Sequence, residues 1–353
     1  MLPPSRVTKS PARSKGLASS AHFAYVTNQG GDNVSAFAID AKTGALTRVK
    51  GSPFSTGDEP FAVAIDPAGK FAYVTCSEGV YGYVVNASSG ALTQIEGSPF
   101  NAGADPFEMA TDPAGKFLYV TDSPFQGDGK VYGYAIDSTG GALKKIKGSP
   151  FSAGEYPYGV AIDPTGAFAY VAEAGTNDVS AYAINATTGA LTPVRGSPFA
   201  TGDAPDNVAI DPTGSFAYVT NSLSDNLSAY AIDSRTGRLT PVSGSPFKAG
   251  KTPDAITIHP TGKFAYAVNY NDVSGYTVNA GTGALTPLKG SPFKTGLYPF
   301  GMAIDPAGTF AYVVDGGSNA ISAYSIDASS GGLTQIKGSP FPAGSAPRGV
   351  AIR

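Results

Sequence analysis

The chain has no tryptophan, one cysteine and two histidines in 353 residues. One cysteine cannot close an internal disulfide, and two histidines with one cysteine cannot build a Cys/His zinc cluster. Charge is scarce as well. The 24 basic and 27 acidic residues make up 14% of the chain, against about 25% in an ordinary soluble domain. A net charge of -3 gives nucleic acid no general attraction. No run of about eighteen apolar residues exists, so no membrane-spanning helix is expected. Glycine (45) and proline (28), by contrast, are abundant. That excess can signal disorder, but 42% apolar residues, with 19 Phe and 19 Tyr, supply a genuine core.

Length alone favours two domains, but an internal repeat overrides it. The tetrapeptide Gly-Ser-Pro-Phe begins at Gly51, Gly97, Gly148, Gly196, Gly244, Gly290 and Gly338. The longest interval contains an insertion around Ser123 to Lys130. Residues 203 to 244 show what one copy builds. Asn207 to Ile210 is a short apolar run, followed by the turn Asp211-Pro-Thr-Gly214, in which Pro fixes φ and Gly tolerates positive φ. Ser215 to Thr220 carries the strand formers Phe216, Tyr218 and Val219. A polar loop leads to the alternating segment Leu227 to Asp233, a hairpin turn ending in Gly237, and a fourth strand, Leu239 to Val242. The fourth strand holds Pro193, Pro241 or Pro287 in three copies and Arg48, Lys144 or Lys145 in others. Both choices suit an exposed sheet edge. Each repeat therefore reads as a four-stranded antiparallel sheet with its last strand outermost. Seven such sheets arranged radially predict an all-β, seven-bladed β-propeller over residues 21–353.

The pattern begins at His22 with a second strand and ends at Pro347 to Ile352 with a first strand. The last segment is thus expected to supply the missing inner strand of the N-terminal blade and lock the ring. A closed ring needs no partner, so a monomer is expected. Residues 1–20 carry Arg6, Lys9, Arg13 and Lys15 and no acid, and read as a disordered basic tail. The unpaired cysteine and the lack of a signal-type apolar leader point to the cytoplasm. The Thr-, Ser-, Asn- and Gly-rich surface also suits an exported protein with an upstream start.

The second strands run Tyr25-Val-Thr-Asn28, Tyr73-Val-Thr-Cys76, Tyr119-Val-Thr-Asp122, Tyr170-Val-Ala-Glu173, Tyr218-Val-Thr-Asn221, Tyr266-Ala-Val-Asn269 and Tyr312-Val-Val-Asp315. This resembles the YVTN-repeat propellers of the lactonase family, relatives of bacterial 6-phosphogluconolactonase and of fungal carboxymuconate cycloisomerase. The resemblance covers residues 21 to 353 and implies lactone chemistry; no resident cofactor is expected. The family's enzymes place Pro-Arg-His at the start of an inner strand. Here Pro347-Arg348 matches, but Gly349 stands where the histidine would be, which puts histidine acid/base catalysis in doubt. His259 replaces the aspartate of five other Asp-Pro-x-Gly turns and reads as a turn residue.

Within one sequence, positions uniform across seven copies serve the scaffold, and rim positions that differ are candidates for function. Two sets vary: the residues after the strand-opening Pro, and the last residue of the second strand. Both are expected near the channel mouth, where propeller ligands bind. Arg348 is the candidate oxyanion stabiliser, with Glu108 or Glu173 to activate water. Asp206, Asn207, Asp254, Tyr158, Phe107 and Phe300 are candidate substrate contacts. A single cation favours a neutral or amino-substituted sugar lactone over a phosphorylated one. Two alternatives stay open: a Ca²⁺ site built from the Glu, Asp and Asn oxygens, and a non-catalytic scaffold whose rim binds a glycan or a protein. Cys76 lacks a neighbouring base and reads as chemically inert. The uniform Gly-Ser-Pro-Phe copies read as blade-to-blade packing.

Overall fold

The computed structural model describes residues 22–125 and 128–353; the basic tail and two residues of the insertion lie outside them. Seven antiparallel sheets are arranged in sequence order around a channel, as the repeats predict. In blade 5 the inner, second, third and outer strands are Pro205–Ile210, Phe216–Asn221, Asn226–Ile232 and Leu239–Pro241. Blade 1 combines both ends of the described chain. Its second strand, His22–Asn28, pairs on one side with Asn33–Ile39 and on the other with the inner strand Pro347–Ile352, in the register Ala24↔Ile352 and Val26↔Val350.

The apolar residues do not form one central core. They form seven clusters, one at each junction between neighbouring blades. Phe216 and Tyr218 of blade 5, for example, pack with Ile256, Ala265 and Tyr276 of blade 6. The cluster joining blade 7 to blade 1 holds Phe310 and Tyr312 with Ala24 and Phe37, and it covers Val350 and Ile352 of the closing strand. Each blade is thus buried on two faces only when the ring is complete.

The repeated Tyr-Val-Thr-Asn string has a physical role at each position. The tyrosine hydroxyl crosses to the next blade and donates to its hairpin glycine carbonyl, as in Tyr218 to Gly283 at 3.0 Å and Tyr312 to Gly44 at 2.8 Å. All seven tyrosines do this, and all are fully buried. The hairpin glycine is obligatory twice over. Gly283 has φ +72°, and a Cβ there would lie 2.3 Å from the Phe216 ring. The valine fills the interblade cluster. The threonine hydroxyl accepts from an inner-strand amide of its own blade and donates to an inner-strand carbonyl of the next. Thr121 accepts from Glu108 N at 3.0 Å and donates to Tyr158 O at 2.7 Å. Thr27 does the same with Gly349 N and Phe61 O. These bonds sit at the register shift that opens the inner strands, so they set the backbone of the channel wall.

The Gly-Ser-Pro-Phe segments do more than pack blades together. Each Ser hydroxyl accepts from a third-strand amide of its own blade, as in Ala229 N to Ser245 Oγ at 2.9 Å. In six blades the Phe and its successor add a two-residue fifth strand against the third, for example Leu227↔Phe247. In blade 2, Phe100 makes a single bridge to Val80 instead. The junction role holds too: Tyr276 of the next blade donates to Lys248 O at 2.8 Å.

Candidate functional site

The residues that follow each strand-opening proline meet at one end of the channel. In order of blades they are Arg348, Phe61, Phe107, Tyr158, Asp206, Asp254 and Phe300. The ring therefore has three sectors. Phe61, Phe107 and Tyr158 form an aromatic arc, with centroids 3.9 Å and 4.4 Å apart. Asp206 and Asp254 follow as an acidic pair. Arg348 closes the circle between two phenyl rings, its guanidinium carbon 3.7 Å from the Phe300 centroid and 5.6 Å from that of Phe61. One step deeper, only Glu108 and Asn207 are polar; the others are Ala62, Gly159, Ala255, Gly301 and Gly349.

A cavity of about 160 Å³ occupies this position, lined by Phe61, Phe107, Glu108, Asp206, Asn207, Asp254, Phe300 and Arg348 together with inner-strand backbone. Above it a vestibule of about 310 Å³ shares Phe61, Phe107, Asp254 and Arg348 and adds Gln29, Glu59, Ser77 and Asp105. Seven of the nine candidate residues from the sequence thus line one cavity. Tyr158 stacks on Phe107 at the end of the arc instead of facing the cavity.

Glu173 does not reach the site. It ends the second strand and is 1% exposed. One carboxylate oxygen accepts from Gly154 N at 2.8 Å and the other from the Ser180 hydroxyl at 2.9 Å. At this position Asn221 donates its amide to Asn226 and Ser228 and leaves its buried Oδ1 without a partner among the described residues, but three others act as Glu173 does: Asn28 accepts from Gly344 N, Asn269 from Gly250 N, and Asp122 from Ala104 N and Asp105 N. These side chains cap the loop that leads into the inner strand. Their variation reflects loop sequence, and their position at a strand end turns them into the blade, away from the channel. Burial is the main reason the Glu173 carboxyl is pushed up to about 8.

Arg348 is held by a residue that the sequence comparison missed. Its Nε donates to Oε1 of Gln29 at 2.7 Å. Gln29 follows Asn28 directly, and its own N–H donates to Ala346 O at 3.0 Å, two residues before Arg348. The closure pairing of Asn28 with Pro347 is the signal that places the two side by side. No carboxylate pairs directly with Arg348; among the described residues the one ion pair is Lys251 with Asp225, on the surface. The cation is therefore presented to the cavity with its planar face on Phe300 and with donors to spare.

The three acids are half-buried by exposure, because the channel is open to water, yet protein surrounds each of them. Burial pushes Asp254 up to about 8, and Asp206 and Glu108 push the same way while Arg348 opposes them. Burial raises Glu108 to about 7 and Asp206 to about 6; the Met109 amide and the Ser222 hydroxyl respectively offset part of the rise. One cavity thus sets a cation beside three carboxyls that burial pushes toward neutrality, Asp254 furthest. Among the described residues no three Asp, Glu, His or Cys groups stand close enough to chelate one ion.

Neither histidine is near. His259 joins the turns of two blades through Thr261 Oγ1 at 2.8 Å and Gly308 O at 2.9 Å, and His22 contacts Arg353 O. At Gly349 a Cβ would fall 2.8 Å from Phe61 O and 3.1 Å from Ala62 Cα, so a histidine there would displace the blade 2 inner strand. Cys76 is buried against Thr56, and its thiol is pushed up to about 12, mainly by burial, which leaves it inert.

Comparison with known proteins agrees with this architecture. A candidate 6-phosphogluconolactonase of Bacteroides fragilis superposes with TM-score 0.81 at 20% identity, covering 96% of this chain and all of that one. A periplasmic gluconolactonase of Pseudomonas aeruginosa gives 0.79 at 18%, covering 94% and 99%. A functionally unknown protein of Desulfotomaculum acetoxidans gives 0.73 at 18%, covering 94% and 98%. At these identities the likeness concerns the fold. No curated protein matches the sequence. The family model "Lactonase, 7-bladed beta-propeller" matches residues 9–99 and 154–350, well over half of the chain. With seven closed blades and a family match that spans most of them, this chain belongs to the seven-bladed lactonase β-propeller family.

Proposed function

We propose that the protein hydrolyses a lactone at the channel mouth. The observation that carries this reading is Arg348, a half-buried cation with no carboxylate partner, oriented by Gln29 and set among carboxyls that burial pushes toward neutrality. The lactone carbonyl oxygen lies toward Arg348. A water attacks the carbonyl carbon, and its proton passes to an ionised carboxylate, Asp206 or Glu108. Negative charge develops on the carbonyl oxygen, where the oriented guanidinium stabilises it. As the ring C–O bond breaks, protonated Asp254 gives its proton to the departing ring oxygen. The product is an open-chain hydroxy acid. The aromatic arc offers a face for the substrate ring, and Asn207 offers an amide for a hydroxyl.

The single cation favours a neutral or amino-substituted lactone, since a phosphate ester calls for two or more basic groups. The experiment is a panel of lactones that includes gluconolactone and its 6-phosphate, corrected for spontaneous opening and run with Ca²⁺ or with a chelator. Enzymatic opening that is indifferent to the chelator supports the reading. Opening that requires Ca²⁺ replaces it with an oxygen-ligand metal site. The absence of turnover makes the same ring a binding module for a glycan or a protein.

A further inference from the structure

We infer that the substrate carries an apolar arm, an alkyl or aryl substituent on the lactone, which lodges in a side cleft between blades 6 and 7. This inference rests on the hydrolase reading and concerns the substrate class of the same site. The cleft has a volume of about 140 Å³ and is formed by Thr252, Tyr270, Tyr298, Pro299 and Phe300, with Asp254 at its inner edge. Asp254 and Phe300 also line the channel cavity, so the two spaces share a wall.

The cleft is built in advance. Tyr270 N donates to Lys251 O at 2.8 Å, Gly316 N to Tyr298 O at 2.9 Å, and Thr252 N to Asp225 Oδ1 at 2.9 Å. The two tyrosine rings meet edge to face with centroids 4.9 Å apart. Tyr298 holds φ +49°, a conformation that a bulky side chain seldom adopts. Both tyrosines remain nearly half exposed, at 46% and 45%, and Leu297 beside them is 59% exposed. Most large apolar side chains of this protein are buried in the blade junctions, so an uncovered aromatic pair at the edge of the polar cavity marks a surface awaiting an apolar group.

The chemistry of the walls separates an apolar arm from a second sugar ring. A sugar needs hydrogen-bonding partners around its rim; apart from Thr252, the edge at Asp254 and the two tyrosine hydroxyls, the surface this cleft presents is almost wholly apolar. Its volume corresponds to about five liquid waters, room for a chain or ring of about five to six heavy atoms.

The test is equilibrium binding, read by calorimetry without reliance on turnover. The ligands are the lactam analogues, which resist opening, of δ-lactones of constant ring with alkyl side chains of increasing length, of a phenyl-substituted lactone and of a disaccharide aldonolactone. The wild-type protein is compared with a Tyr270→Ser/Tyr298→Asn variant; Asn is chosen because it tolerates the left-handed backbone. Affinity is expected to rise about two- to fourfold per added carbon up to about five carbons, then level off. The variant is expected to lose the increments. A flat series in the wild type, equal increments in the variant, or preferred binding of the disaccharide lactam would overturn the inference. The hydrolase reading fails separately. Chain-length-dependent binding of the lactams without opening of the parent lactones would uphold the cleft and refute catalysis, whereas opening of the lactones with no chain-length effect on binding would uphold catalysis and refute the cleft.

Discussion

Asp254 is the residue on which the acid/base assignment turns. With Asp206 near 6 and Asp254 near 8, kcat/KM is expected to rise through about pH 6 and to fall through about pH 8. Asp254→Asn should abolish the alkaline limb along with most of the rate; a variant that keeps the wild-type profile would remove Asp254 from the mechanism. The same carboxyl affects stability. Its folded value lies above its unfolded one, so the native state binds the extra proton between about pH 4 and pH 8, and stability drains away as pH rises across that window. Asp254→Asn should therefore melt higher than wild type at pH 8 and equally at pH 4, as thermal scans at the two pH values would show. Glu173→Gln should leave kcat within about twofold, because its carboxyl faces Ser180 and Gly154, and a protonated carboxyl near neutral pH is closely mimicked by an amide. A large loss of rate would restore it to the site. The residue scale is also where the sequence misled. The inner-strand candidates were legible because they stand one or two residues after a strand-opening proline, and all of them except Tyr158 line the cavity. Glu173 varied just as much, but side-chain direction at a strand end depends on register, and composition does not encode it. Gln29 was invisible for another reason: its neighbour Arg348 is over three hundred residues away, and only ring closure joins them.

At the scale of the element, the repeated second strand is a device for joining blades. Its tyrosine hydroxyl is buried and bonded to a glycine carbonyl of the next blade. Tyr218→Phe would leave the Gly283 carbonyl without its partner and should cost about 1–3 kcal/mol. Denaturant melts with an unchanged m-value would measure this directly, and a loss below about 0.3 kcal/mol would mean that water replaces the hydroxyl. The strands themselves could be read from alternation, turn residues and edge prolines, with boundaries within a residue or two. The short fifth strand could not. Two residues after a proline carry no periodic signal, and their pairing depends on a serine hydroxyl reaching the middle of another strand.

For the whole molecule, stability is cooperative because no blade has a core of its own. Each apolar cluster belongs to two blades, and the inner strand Pro347–Ile352 completes both blade 1 and its junction with blade 7. Removing residues 348–353 should lower the melting temperature by roughly 10 °C or more, through lost strand pairing and an opened junction. A truncated protein that melts with the wild type would show that the ring holds without its closing strand. Closure also links architecture to chemistry. The segment that completes the ring carries Arg348, and the strand it joins is followed by Gln29, so the candidate oxyanion site exists only in the closed molecule.

The measurement that tests the central claim most directly is steady-state hydrolysis of the best substrate of the lactone panel by the wild-type protein and by Arg348→Ala. Loss of one oriented charge at a developing oxyanion should lower kcat by about 10²–10³-fold while the folded ring is retained, as judged by an unchanged melting profile. A variant that folds like wild type and opens the lactone at the wild-type rate would contradict the account.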